Sequence, residues 1–189
     1  HLRTFRYSTY IEGVTSTQGD GIVGLLNELH AYYLGSKFNY DMKEVYLNYG
    51  GSPEEGFVLW MQYSQSQLSA FYEFDYFILE YLHYMKTNHP EKYMEFIAYN
   101  DFTIAYKAVR HAYAELFTAY MLSINNTLET FKDNKEYKVW KEKEIVWCLK
   151  QGNTTYSGAR IYSDAVEILK PVINGTRYID VKKDLGISQ

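Results

Sequence analysis

The sequence predicts an all-α fold, a single-domain helical bundle of about five to six helices. Long stretches carry apolar residues at intervals of three and four, which places them on one face of a helix. Serine, proline and glycine stand at the ends of these stretches, where helices start and stop. The chain has 189 residues, 47% of them hydrophobic and 22% charged, so it is globular in composition and long enough to bury a core.

The N-terminal segment, residues 1–18, is predicted to be extended, with a short strand in it. Aromatic and β-branched residues alternate with others from Leu2 to Glu12, a period of two that favours a strand. From Gly13 to Gly21 the chain is rich in Thr, Ser, Gln and Gly, which predicts a polar loop.

A first helix is predicted from Asp20 to about Leu34, with Gly35 as its C-terminal stop. The stretch from Ser36 to Gly51 has a less regular apolar pattern. It predicts no more than one helical turn, around Met42–Leu47.

The clearest start signal in the chain stands at Ser52. Its side chain is suited to the N-cap, Pro53 suits the first helical position, and Glu55 completes a capping box. The long helix that follows is predicted to end at His89, because the residue before Pro90 is pushed out of helical geometry.

Four more helices are predicted in the second half, each bounded by a capping residue, a glycine or a proline. They are Pro90–Tyr99, Asn100–Phe131, Asp133–Gln151 (ended by Gly152) and Ser157–Lys170 (ended by Pro171). No repeat or linker divides the chain, which predicts one domain over residues 1–189.

Charge and composition exclude some partners. The net charge is −4, and 19 Lys and Arg are dispersed among 23 Asp and Glu, so no nucleic-acid surface is expected. The most apolar run, Tyr76–Met85, is too short to span a bilayer. Cys148 is the single cysteine, so the sequence is compatible with either the cytoplasm or the cell exterior. The sequence does not predict an oligomeric state. The first residue is His1, which indicates a removed leader or the C-terminal part of a longer protein.

Glu28 is the first candidate site residue. It shares a helical stripe with small residues, namely Gly21, Gly24, Ala31 and Gly35. A glycine inside a helix costs about 1 kcal/mol relative to alanine, so a compensating reason is expected. The stripe would let a ligand or a neighbouring helix approach the carboxylate. We take Glu28, with Tyr32 and Tyr33 on the next turn, as candidate binding residues, and close helix packing is the alternative.

Two further stripes carry candidate metal ligands. Glu80 and His83 form an E-x-x-H pair, the spacing found in di-iron carboxylate bundles, although the chain has no second E-x-x-H. His111 and Glu115 lie one turn apart on another helix. If these stripes and Glu28 faced inward together, they would form a zinc or iron site. The alternative is that both stripes are solvated, salt-bridged helix faces.

The stretch Asn27–Tyr32 (Asn-Glu-Leu-His-Ala-Tyr) resembles the glutamate-bearing helix that supplies the third zinc ligand in gluzincin peptidases. The resemblance implies a metal-dependent hydrolase, or a fragment of one, with Glu28 as a zinc ligand. In that family an upstream HExxH helix supplies two histidines and the base, and this sequence has no HExxH. The motif would have to come from a preceding part of a longer protein.

The chain holds 21 Tyr, against 10 Phe and 3 Trp. Buried tyrosines need hydrogen-bond partners, and exposed ones can line a cleft. The main functional hypothesis is a binding module with a tyrosine-rich cleft for a small molecule or peptide. Its predicted rim is Tyr32, Tyr33, Tyr46, Tyr49 and Tyr63. The alternatives are the metal-dependent hydrolase and a structural domain with no site.

Overall fold

The computed structural model describes residues 2–13, 16–49 and 51–187. Within these ranges the chain is mostly helical, with one small sheet near the C-terminus. The helices are α1 (Ser16–Gly19), α2 (Gly21–Asp41), α3 (Lys43–Tyr49), α4 (Pro53–Asn88), α5 (Pro90–Ala98), α6 (Asn100–Lys132), α7 (Arg160–Ile173) and α8 (Ile179–Asp184). The strands are β1 (Tyr137–Lys143), β2 (Val146–Gln151) and β3 (Thr154–Ser157). The predominance of helix is broadly consistent with the predicted all-α class, and the three-stranded sheet adds a mixed element that the sequence did not predict.

Helix α4 is the centre of the fold and packs against α2, α3 and α7. Every residue from position 68 to position 80 is buried. Both predicted ends are confirmed: the Glu55 N–H donates to Ser52 Oγ at 3.3 Å, and the helix stops at Asn88, just before His89 and Pro90. The short α5 and the long α6 also begin and end close to their predicted bounds.

The predicted helix Asp133–Gln151 is wrong, because most of it forms β1 and β2. These strands pair antiparallel, with Trp140 opposite Cys148. β2 is the middle strand, and its first four residues are all buried. A short run buried on both faces has no period of two, so its apolar pattern is indistinguishable from that of a buried helix. Gly152 has a φ of 56° and lies in the turn between β2 and β3 instead of ending a helix.

The predicted N-terminal strand is also wrong. A π-helical turn spans Ser8–Glu12, and the Tyr10 N–H donates to the Arg6 carbonyl at 3.0 Å. The π-helical turn and α1 are helical in a region, residues 1–18, that was predicted to be extended. His1, Val14 and Thr15 lie outside the described residues.

Helix α2 continues past Gly35, the predicted stop, to Asp41. Tertiary contacts outweigh the glycine, since Ser36 and Asn39 are buried and the Tyr120 hydroxyl donates to the Ser36 carbonyl at 2.7 Å. α3 occupies the region where one turn was predicted; Gly50 lies outside the described residues. None of the described helices has the length and apolar character that crossing a membrane would require.

Candidate functional site

Two adjoining cavities open where the N-terminal segment and the start of α2 meet α4. Their volumes are about 250 and 280 Å³, and both are lined by Ile11, Leu25 and Tyr81. We call them together the tyrosine cleft, because five tyrosines contribute to its walls. The lining residues are Tyr7, Tyr10, Ile11, Gln18, Gly21, Leu25, Tyr76, Phe77, Glu80, Tyr81 and Tyr84.

Helix α4 supplies one wall of the cleft from two successive turns. Tyr76, Glu80 and Tyr84 recur every four residues, which places them on one helical face. Tyr76 is 3% exposed and forms the floor, whereas Tyr81 and Tyr84 are 42% and 55% exposed and form the rim. The cleft therefore has a dry aromatic base and a rim that water reaches.

The start of α2 forms the opposite wall. Gly21 has a φ of 53°, a conformation that favours glycine, and a Cβ there would lie 3.4 Å from Tyr81 Oη. Gly19–Gly24 also has the G-x-G-x-x-G spacing of dinucleotide-binding loops. Here these residues connect α1 to α2, so the strand that such a loop must follow is replaced by a helix. Of the three glycines, Gly21 is the one at which α2 approaches Tyr81 closely.

The N-terminal segment forms the third wall and is fixed by a buried ion pair. The Arg6 guanidinium donates to Glu73 Oε2 at 2.5 Å and to Ser69 Oγ at 3.0 Å, and the Arg6 N–H donates to Glu73 Oε1 at 2.8 Å. Arg6 and Glu73 are 4% and 0% exposed. The π-helical turn then brings Tyr7 and Tyr10 to the cleft.

Two hydroxyls tie this segment to the helices. The Leu2 N–H donates to Tyr76 Oη at 2.9 Å, beneath the cleft floor. The hydroxyls of Tyr10 and Tyr32 lie 3.4 Å apart, and the Arg6 guanidinium lies 4.7 Å from the centre of the Tyr32 ring. Tyr32, a predicted binding residue, thus supports the cleft from behind.

Glu28 is partly buried on α2 and acts on the cleft through Tyr10. Burial raises the pKa of Tyr10, and the interactions with Tyr32 and Glu28 raise it further. Tyr33, the other predicted binding residue, does not line the cleft. Its ring makes an edge contact with the Tyr113 ring, with the ring centres 5.8 Å apart.

Glu80 lies at the base of the cleft in an ion pair. Its Oε1 accepts from Arg177 Nε at 2.6 Å and its Oε2 from Nη2 at 3.1 Å, and the Tyr178 hydroxyl also donates to it. Burial alone would raise the pKa of Glu80, but these hydrogen bonds outweigh it and the pKa falls below its ordinary value. His83 makes an edge contact with Tyr178, with ring centres 6.0 Å apart.

The predicted metal ligands do not converge. His111 and Glu115 are 76% and 69% exposed and pair with each other at 3.3 Å, the salt-bridged face given above as the alternative. Glu80 instead pairs with Arg177, which neutralises its charge. In the part of the chain that the structure describes, no three His, Cys, Asp or Glu side chains are grouped so that they could hold a metal ion. The zinc or iron site built from Glu28, Glu80, His83, His111 and Glu115 therefore lacks geometric support.

None of the five tyrosines that line the cleft belongs to the predicted rim. Tyr49 and Tyr63 are 88% and 56% exposed and, like Tyr46, line neither cavity. The sequence did carry a signal for the α4 wall, because Tyr76 and Tyr84 lie four residues on either side of Glu80. No signal marked Tyr7 and Tyr10, since they depend on the long-range Arg6–Glu73 pair.

No protein-family model, curated protein or solved structure matches this chain.

Proposed function

We propose that the protein is a binding module whose tyrosine cleft takes a small, largely apolar ligand with a flat face. The same face could belong to a free molecule or to an aromatic side chain of a peptide. One observation carries the proposal: five tyrosines from two segments line two adjoining cavities. α4 supplies Tyr76, Tyr81 and Tyr84, and the N-terminal segment supplies Tyr7 and Tyr10. Ligand pockets are typically apolar and aromatic with a few polar groups, as this cleft is.

The exposed aromatic surface of the rim tyrosines would favour ligand binding. Tyr81 and Tyr84 expose aromatic surface to water, and a flat ligand would cover it. Aromatic rings prefer edge and offset contacts, each worth about 0.5–1.5 kcal/mol beyond the area they bury. The floor residues Tyr76 and Phe77 are already fixed by packing, so a ligand would order few side chains when it binds.

The proposal is tested by titration with indole, a flat and mostly apolar probe with one N–H donor. Binding is compared by NMR in the wild type, Tyr84→Ala and Tyr63→Ala. Tyr63 is the matched control because it lies on the same helix and is 56% exposed, against 55% for Tyr84. We expect Tyr84→Ala to lose about 1 kcal/mol of indole binding, roughly fivefold in Kd. Tyr63→Ala should bind indole as the wild type does.

Two outcomes would contradict the proposal. The first is indole binding that does not saturate in the wild type. The second is an equal loss in Tyr84→Ala and Tyr63→Ala. Either result would favour the structural domain with no site.

A further inference from the structure

A second cluster of polar groups lies on the far side of α4, where it faces α6 and α8. Asp75 is fully buried and accepts hydrogen bonds from Arg110 Nε at 2.8 and 3.1 Å and from the Tyr106 hydroxyl at 2.5 Å. The Arg110 side chain is 18% exposed, so this pair fixes the guanidinium in a mostly dry environment. Its orientation is set before any ligand arrives.

A second cation is buried beside this pair. Lys182 of α8 is 3% exposed. Burial and then repulsion from Arg110 lower the pKa of Lys182, and attraction to Asp75 opposes them. The partly buried Arg110 and the buried Lys182 thus share one carboxylate, and within the described ranges Lys182 has no ion pair of its own. Buried charge without a counter-charge is costly.

An open cavity of about 220 Å³ adjoins the cluster. Arg110, Lys107 and His111 line it from α6, and Gly186 and Ile187 line it from the turn after α8. Lys107 Nζ lies close to this turn: a Cβ built on Gly186 would be 3.1 Å from it. Across the part of the chain described, Lys107 forms no ion pair. Asp75 pairs with Arg110, and Glu115 pairs with His111.

We propose that this cavity binds the phosphate group of a small molecule, held by Lys107 and Arg110. A phosphate monoester carries close to two negative charges at neutral pH, which would offset the excess positive charge of Arg110, Lys182 and Lys107 around Asp75. Guanidinium and ammonium groups are the side chains that bind phosphate oxygens best. The site lies apart from the tyrosine cleft and does not depend on its function.

The test is an NMR titration of the whole chain with inorganic phosphate, at an ionic strength held constant with sodium chloride. We expect saturable shifts of the Gly186 and His111 amides. Lys107→Glu reverses a charge at the cavity and should raise the phosphate Kd by about tenfold or more. Lys132→Glu makes the same change at an exposed position of α6 and should leave the Kd unchanged.

Sodium acetate, with one negative charge, should bind more weakly than phosphate. Lys182→Met, which keeps the buried methylene groups but removes the charge, should also weaken phosphate binding. The proposal is overturned if phosphate shifts the Gly186 and His111 amides no more than the chloride control does. It is also overturned if Lys107→Glu binds phosphate as tightly as the wild type, or if acetate binds as tightly as phosphate.

Discussion

The Arg6 guanidinium and the Glu73 carboxylate form a 2.5 Å ion pair in which the side chains are 4% and 0% exposed. This pair joins the N-terminal segment to the central helix α4. The same segment carries Tyr7 and Tyr10 into the tyrosine cleft. The shape of the cleft therefore depends on a contact between residues 67 positions apart in the chain.

Removing the cation should be strongly destabilising. Arg6→Met leaves Glu73 buried without its partner, and we expect the free energy of unfolding to fall by about 3–5 kcal/mol. Urea denaturation measures the loss. Arg3→Met is the control, because the Arg3–Glu12 pair is 71% and 44% exposed and should contribute less than about 1 kcal/mol. Equal losses in the two variants would show that the Arg6–Glu73 pair does not anchor the segment.

The Glu80–Arg177 pair predicts a pH dependence of stability. The folded-state pKa of Glu80 lies below its ordinary value of 4.5, so the ionised carboxylate stabilises the fold above that value. This contribution is lost as the pH falls through the lowered folded pKa. The stability difference between the wild type and Glu80→Gln should be largest at neutral pH and shrink in acid. Urea unfolding at a series of pH values measures it, and a difference independent of pH would contradict the assignment.

Two helical glycines should respond to alanine in opposite directions. A Cβ on Gly35 meets nothing closer than Gln67 Oε1 at 3.7 Å, so Gly35→Ala should stabilise the protein by about 0.5–1 kcal/mol. A Cβ on Gly56 would lie 2.1 Å from the Tyr46 carbonyl oxygen, and Gly56→Ala should destabilise by about 1–3 kcal/mol. Thermal unfolding compares them. Destabilisation by both would mean that α2 tolerates no side chain at position 35.

The sequence predicted helix ends correctly where capping residues and prolines determine them. Ser52 and Pro53 fix the start of α4 by capping and by backbone geometry, and Pro90 fixes its end. Such signals act within a few residues, so they can be recognised without knowledge of the fold. Gly35 shows their limit, since packing carries α2 through a residue that usually ends a helix.

The parts that the sequence did not predict depend on distant partners. β2 lies between β1 and β3 and its first four residues are all buried, which removes the alternation that marks a strand. The tyrosine cleft depends on the contact of Arg6 with Glu73. The cavity beside Arg110 exists because the turn after α8 brings Gly186 and Ile187 against α6. No spacing within one segment encodes these contacts.

Cys148 should be inert in the folded protein. It is 1% exposed in the middle strand, and burial, followed by the charge of Glu142, raises the pKa of its thiol. Because the thiolate is the reactive form, labelling by a thiol reagent should require unfolding. The labelling rate is measured in native buffer and in denaturant. A native rate equal to the unfolded rate would contradict the burial of β2.

The most direct test of the proposed binding function is to locate the indole-binding site on the protein. Ile11 and Leu25 line both cavities, whereas Ile124 and Ile173 lie fully or almost fully buried in the core away from them. Methyl NMR spectra recorded during an indole titration report on all four residues at once. The proposed function predicts saturable shifts of the Ile11 and Leu25 methyl groups, with those of Ile124 and Ile173 unchanged. Unperturbed Ile11 and Leu25 methyl groups at saturating indole would contradict it.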